Sequence, residues 1–355
     1  MTAEEIAKII EEKTQIIAQL SVERQYALQP EIWERYGEKG RELSIRDIAQ
    51  HLVYLTQAIR AGDSAIFVNY ALWLKELFAG LGFPDSVLPV MLECMQEILK
   101  ETLPEEISAA ANEYIQAASD KLNLTSAKEE SFIPDNAPHS ELARNYLKLL
   151  LQSNRNDAAK LIIDAVEKGA SIQDIYMNVF QASQYEIGRL WHTKQVSVAQ
   201  EHFCSAATER IMSQLYGRIF TTKRIKQTYV GACVGGELHQ IGARMVADFF
   251  EMEGYDTYYM GANTPAQSIS DAIAEHNADI LGISCTMSFH RGALEDLIKS
   301  VRASADTPPN LKIVVGGYSF IKKPDLWKEV GADGMAKNAQ EAIALANRLV
   351  SLRRE

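Results

Sequence analysis

A chain of 355 residues has room for two or three domains, and with 47% hydrophobic residues it can bury sizeable cores. Lys and Arg number 36 against 47 Asp and Glu, a net charge of -11, which argues against general binding to nucleic acid or to an anionic membrane surface. The start, MTAEEIAKII, has no basic region leading into an apolar stretch, and no apolar run is long enough to cross a bilayer, so the expected location is the cytoplasm with no membrane contact. Cys94, Cys204, Cys233 and Cys285 lack C-x-x-C spacing and are expected as buried thiols, neither zinc ligands nor a disulfide framework.

From Ala3 to about Leu122 the periodicity predicts helices only. Ile6, Ile9, Ile10, Ile16, Ile17 and Leu20 repeat at helical spacing, and a longer helix runs from about Ser44 to the Ala61-Gly62-Asp63 stop. Ser64 or Asp63 is the expected cap of a third helix ending near Gly80, Asp85 or Ser86 that of a fourth, and a last one follows the Leu103-Pro104 break. Residues 1–124 are therefore read as a helical bundle of sensor, output or dimerisation type, with His51, Trp33 and Trp73 packed in its core. It holds no helix-turn-helix with a basic recognition helix. The unperiodic stretch 125–140, TSAKEESFIPDNAPHS, reads as a linker.

Four more helices are expected over 141–222: one from Leu142, one up to the Gly169 stop, one capped by Ser171 and ending near Trp191, and one opened by the capping-box pattern Ser197-Val198-Ala199-Gln200. Lys223, Arg224 and Lys226 read as a solvated connector. Over 223–355, apolar runs near Tyr229–Val234, Asp256–Met260, Ile280–Cys285, Lys312–Val315 and Gly334–Met335 alternate with helical patterns, which makes a doubly wound sheet of five parallel strands. The fold class is multidomain α plus α/β: bundle, four-helix cap, then sheet.

The loops at the carboxyl ends of those strands carry the chemistry. The first holds Glu237-Leu238-His239-Gln240-Ile241-Gly242, the third strand ends in Ser284-Cys285-Thr286-Met287, and the fourth in Gly316-Gly317-Tyr318. An imidazole suits a borderline metal, a carboxylate two residues away can orient its second nitrogen, and paired glycines leave room beside the backbone. The set Glu237-x-His239-x-x-Gly242, Ser284-x-Thr286, Gly316-Gly317 resembles the cobalamin-binding Rossmann-like domain. That resemblance implies a cobalamin with its nucleotide tail threaded into the sheet and His239 as the lower ligand of cobalt. Where that family more often has aspartate, this chain has Glu237, a longer arm of the same charge.

Upstream, Trp191-His192 is followed after a short loop by Val198 and then Glu201-His202. The spacing Trp-x9-Glu-His, within IGRLWHTKQVSVAQEH, resembles the cap of the CarH and LitR type of adenosylcobalamin photoreceptors. In that reading Trp191, Val198, Glu201 and His202 enclose the adenosyl group, and His192 becomes the upper cobalt ligand once light has removed it. The resemblance implies adenosylcobalamin as cofactor, with methylcobalamin as the other form to consider. It also implies signalling rather than turnover, a homo-oligomer, and a change of conformation or assembly passed to the amino-terminal bundle and an unknown downstream partner. The family's MerR-type DNA-binding domain is missing from this sequence, so direct DNA binding is not expected. The alternative is a corrinoid protein that carries methyl groups between methyltransferases; a mutase subunit fits poorly, because no substrate barrel is encoded.

Overall fold

The structure, a computed structural model, describes residues 1–124, 131–220 and 222–351; residues 125–130 of the expected linker lie outside the described residues. It divides into two compact units. The described residues up to 124 group with His192–Gln195, and those from 131 to Trp191 group with Val196 onward.

The first unit is helical: α1 (Ala3–Glu12), α2 (Thr14–Leu28), α3 (Pro30–Trp33), α4 (Gly37–Ala61), α5 (Ser64–Gly80), α6 (Val87–Thr102) and α7 (Glu105–Leu124). Local chemistry sets several of the boundaries. Thr2 and Glu5 form a reciprocal capping box at α1, the Asp63 carboxylate accepts from the Ala65 N–H at 3.0 Å, and Gly62 closes α4 in the left-handed region at φ 59°. Two expectations are corrected. The first periodic run is two helices, broken at Lys13, and the Ser86 side chain makes no capping bond at α6. Helix α4 packs on α1 and α2, α2 on α6, and α5 on α7. Ile10, Ile17, Leu52, Leu55, Phe67 and Leu92 are fully buried between them. His51 sits in this core as expected, its Nδ1 2.7 Å from the Tyr70 hydroxyl, and Tyr70 stacks on both Tyr54 and Trp73.

The second unit begins with α8 (Ser140–Leu151) and α9 (Arg155–Glu167). Helix α10 (Ile172–Asp174) runs through a π-helical stretch, Ile175–Gln181, into α11 (Ala182–His192), and α12 (Val198–Ile219) completes the cap. The Ser171 hydroxyl accepts from the Asp174 N–H, and Ser197 with Gln200 forms the capping box read from the sequence. Of the expected linker, 131–139 belongs to this unit: Ile133 is buried in its core, and the Phe132 N–H donates to Glu186 at 2.9 Å.

Five parallel strands follow, β1 (Thr228–Cys233), β2 (Asp256–Tyr259), β3 (Ile280–Ser284), β4 (Lys312–Gly316) and β5 (Gly334–Met335), in the order β2-β1-β3-β4-β5. Their crossovers contain α13 (Ile241–Met252), α14 (Ala266–Glu275), α15 (Arg291–Ala303), and the short α16 (Tyr318–Lys322) and α17 (Leu326–Glu329); α18 (Ala339–Ser351) follows β5. The sequence pattern predicts a single helix over Pro324–Val330 and misses α16. The order reverses between β1 and β3, and the register aligns Cys233 with Ser284 and Ser284 with Gly316, so three strands end side by side at this switch point.

Alternate residues of the strands feed two cores. Val230, Leu281 and Ile313 pack with α14 and α15 on one face. On the other, Tyr229, Ile280 and Val314 join Phe250 of α13, Ala346 of α18, and Tyr146, Tyr176, Phe180 and Ile211 of the cap. Cap and sheet thus share one continuous core. A buried strut crosses it: the Tyr176 hydroxyl donates to the Asp248 carboxylate at 2.8 Å. Burial pushes the Asp248 carboxyl up to about 6 against the opposing effect of that bond.

The basic connector is a further correction. Arg224 is no merely solvated cation: its guanidinium donates to the Tyr255 carbonyl at 2.6 Å and pairs with the Glu251 carboxylate, strapping the connector to the end of α13.

Tyr229 lies flat against Phe250, ring centroids 3.8 Å apart, over two glycines. A Cβ on Gly282 would stand 2.2 Å from the Tyr229 hydroxyl oxygen. Gly282→Ala should therefore cost about 1–3 kcal/mol in urea unfolding through overpacking. Combined with Tyr229→Leu it should cost less than the sum of the two single changes, because the ring it strikes is gone.

His51 yields a pH prediction. Burial pushes its pKa down to about 3, whereas in the unfolded chain it titrates near 6.5. Between those values the unfolded state binds more protons, so this contribution to stability is complete above about pH 6.5 and is lost as pH falls toward about 3. The unfolding free energy of the wild type, from urea titrations, should fall between about pH 7 and about pH 5 by about 2 kcal/mol more than that of His51→Gln.

Candidate functional site

Strand β1 runs into a turn at Gly235-Gly236, where Gly236 takes φ 84°, a region open to glycine at little cost. The Gly236 N–H donates to the Asn263 side-chain oxygen at 2.8 Å, and the Asn263 N–H to the Glu237 carbonyl at 2.9 Å. This fixed turn delivers the Glu237 carboxylate into the protein, fully buried. Its Oε1 accepts from the His239 backbone N–H at 3.0 Å and from His239 Nδ1 at 2.5 Å. Its Oε2 accepts from the backbone N–H groups of Thr286 at 2.8 Å and Met287 at 2.9 Å, and faces His290 Nδ1 at 3.3 Å. Burial by itself would raise the carboxyl pKa; the hydrogen bonds from His239, His290 and the Met287 amide outweigh it and hold the group far below the usual carboxylate range.

An ionised carboxylate only accepts, so Nδ1 of His239 carries the proton and Nε2 is the nitrogen left for a ligand. The His239 side chain is 60% exposed. Its pKa is raised, first by the bond to Glu237 against the effect of burial, with a smaller contribution from the Glu201 carboxylate of the cap.

The neighbouring candidates have distinct places. Leu238 is 73% exposed, an apolar side chain left uncovered beside the imidazole. Gln240 bridges to the cap through its amide, donating to Glu209 at 2.8 Å, while its backbone carbonyl accepts from the Tyr259 hydroxyl. Ile241 opens α13 and packs at the edge of the shared core, and a Cβ on Gly242 would meet nothing within 4 Å, so bare backbone is presented there. Ser284 ends β3, and Thr286 and Met287 serve through their backbone amides. The Gly316-Gly317 pair has an internal reason: Gly317 has φ 108°, and a Cβ there would lie 2.4 Å from the Cys285 carbonyl oxygen. Tyr318, half-buried, begins α16.

In the cap, Trp191 lies in the last turn of α11, and Val198, half-exposed, in the first of α12. The Glu201 carboxylate engages His202 Nδ1 at 2.6 Å and accepts from the Ser205 hydroxyl at 2.9 Å. His192 belongs to the first unit instead. There its ring stacks on Trp73, Nε2 donates to the Trp73 carbonyl at 2.6 Å, and Nδ1 lies 3.3 Å from the Glu76 carboxylate. Stacking and two polar partners account for its burial.

Sequence reasoning missed His290, Asn263 and the use of the Thr286 and Met287 amides. His290 stands 53 residues from Glu237, and no local pattern links them. The signal on offer was a histidine just after the Ser284-x-Thr286 element.

The residues fit a corrin bound through its metal: an exposed imidazole with its second nitrogen tied to a buried anion, beside an uncovered leucine and bare backbone at Gly242. Comparison with known proteins agrees. Residues 227–344 and 142–216 match two families each described as a B12 binding domain, and residues 3–122 match a family described as phycobilisome protein. Dimethylamine corrinoid protein 1 of Methanosarcina acetivorans is 28% identical over 123 residues, 34% of this chain and 56% of that protein, so the chain spans about half the length of that relative. Dimethylamine corrinoid protein 1 of Methanosarcina mazei is 24% identical over 195 residues, 53% of this chain and 88% of that protein. The solved Methanosarcina barkeri monomethylamine corrinoid protein shares the fold, with a TM-score of 0.53 at 19% identity over 59% of this chain and 98% of that one. The chain thus carries a B12-binding cap over residues 142–216 and a Rossmann-like B12-binding domain over residues 227–344.

Proposed function

We propose that this chain is a corrinoid protein of the methyl-carrier kind, and that residues 141–222 and 223–355 together hold the cofactor. The observation that carries the reading is the exposed His239 imidazole fixed by the buried Glu237 carboxylate at the switch point of the sheet. Relatives named as dimethylamine corrinoid proteins support it, one of them matched over 195 residues and 88% of its own length. When bound, cobalamin supplies a cobalt centre able to carry a methyl group. His239 Nε2 would hold that metal from below, while Glu237 keeps Nδ1 protonated and the ring in one orientation. Trp191, Val198, Glu201 and His202 would lie on the upper side, where a partner transferase must gain access. The bundle, 1–124, would serve as the output or dimerisation part, with 125–140 as linker.

The photoreceptor reading stands second, on the pattern Trp191-x9-Glu201-His202, whose Glu201 carboxylate engages His202 Nδ1 in the first turn of α12. In that reading His192 would have to leave Trp73 and Glu76 before it could reach cobalt.

His239→Ala should weaken cobalamin binding or leave the cofactor with its own base on cobalt, as read by absorption spectra; unchanged binding and spectra would remove His239 from the site. Glu237→Gln turns an amide donor toward the Thr286 and Met287 N–H groups and should weaken binding about 10–100-fold. For the two readings, spectra of the adenosylcobalamin-loaded protein are compared before and after green light. A carrier should give an illuminated spectrum that His192→Ala leaves unchanged, and methylcobalamin-loaded protein should pass its methyl group to a thiol acceptor when a partner enzyme is supplied. A bis-imidazole spectrum that depends on His192 would establish the photoreceptor instead.

A further inference from the structure

His290 is absorbed by none of the roles above, yet it faces the one buried anion of the site. Its side chain is only 13% exposed. Its Nδ1 lies 3.3 Å from Glu237 Oε2, the oxygen that already accepts from the Thr286 and Met287 amides. The opposite edge of the ring meets the turn after β1, where a Cβ on Gly236 would stand 2.9 Å from His290 Nε2. Phe289 packs edge-on against the ring at 4.1 Å between centroids. The imidazole is therefore wedged between the glycine turn and the carboxylate, and its Nδ1 has one direction in which to donate.

Glutamate has one more rotatable bond than aspartate, so a glutamate at position 237 can swing its carboxylate where a shorter arm could not. The far oxygen, Oε2, takes two backbone amides, and the direction in which Oε1 meets His239 depends on how firmly Oε2 is held. His290, four residues beyond Thr286 in the same segment, adds a third donor to Oε2, the one side chain among the three, and so holds that oxygen in place while Oε1 faces His239 Nδ1.

We propose that His290 is a positioning residue for the cobalt ligand: it clamps Oε2 of Glu237 so that the longer carboxylate arm holds the His239 ring in its metal-binding orientation. This rests on the reading of His239 as the lower ligand. It adds a third side chain to the couple found from the sequence, supplied by the segment that follows β3.

The test uses the full chain labelled with 15N-histidine, loaded with cob(II)alamin and studied by electron paramagnetic resonance. A nitrogen-15 doublet reports a protein histidine on cobalt, and a nitrogen-14 triplet reports the cofactor's own base. Wild-type protein should show the doublet. His290→Phe should lose most of it and bind cobalamin about tenfold more weakly. His290→Asn, whose side-chain nitrogen occupies the place of Nδ1, should restore both readouts, and His290→Gln, whose amide sits one bond further out, should not. A full doublet with wild-type affinity in His290→Phe overturns the proposal. If that variant fails to fold by circular dichroism, the pair His290→Asn and His290→Gln decides, and an intact doublet in the glutamine variant overturns it equally. Failure of the underlying reading looks different: the wild type shows no doublet, or the doublet survives His239→Ala.

Discussion

A buried carboxylate must be surrounded by donors or the protein cannot keep it charged, and that requirement at Glu237 organises the functional end of the sheet. Its donors come from the loop after β1 (His239) and from the segment after β3 (Thr286, Met287, His290). Two loops that start from adjacent strand ends are thereby pinned to one charge. The parallel register sets the Cys233 and Ser284 ends side by side, which is what lets a single side chain collect all of them. Removing those donors would orphan a buried charge, a change on the order of 3–5 kcal/mol. The outcome is an exposed imidazole held by a rigid interior.

The cap depends on the sheet in a different way. Its helices bury Tyr176, Phe180 and Ile211 in one cluster with residues of α13, α18 and the strands, so the four-helix element and the sheet share one hydrophobic body. Buried polar pairs cross that body, as with Tyr176 and Asp248 or the Tyr146 and Thr208 hydroxyls at 2.9 Å. The π-helical turn at Ile175–Gln181 lies where the cap meets this shared core, and it carries the Tyr176 hydroxyl. Such turns insert a residue into the helical period and often mark functional positions.

Legibility followed the range of the interaction. Ser197 with Gln200, Ser171 and Asp63 announced helix starts because capping is settled within three residues. The strands were readable because parallel strands buried on both faces are continuous apolar runs. Glu237 and His239 were readable because the imidazole and its carboxylate lie two residues apart. The break at Lys13, the unused Ser86 cap and helix α16 escaped, since packing outweighs weak local preference there. Arg224 was mistaken for a solvated cation because its partners, Glu251 and the Tyr255 carbonyl, are about thirty residues away. The match of residues 3–122 to phycobilisome proteins was likewise invisible, because a bundle core carries only helical periodicity and no site motif. The wider resemblance to light-sensing proteins rested on a short cap pattern; the relatives found are named as corrinoid proteins.

By itself the sequence determined what depends on neighbours along the chain: helices and strands, the parallel alternation, the switch-point loops, and an imidazole with its carboxylate in one of them. Only the tertiary structure decided which distant groups complete those elements. His290 and two backbone amides close around Glu237, the peptide of Cys285 requires glycine at 317, and His192 is buried against Trp73 and Glu76 in the first unit. The physical reason is that a buried charge, a backbone crossing or a stacked ring takes its partners from whatever the fold brings within a few ångströms, and spacing along the chain carries no record of that.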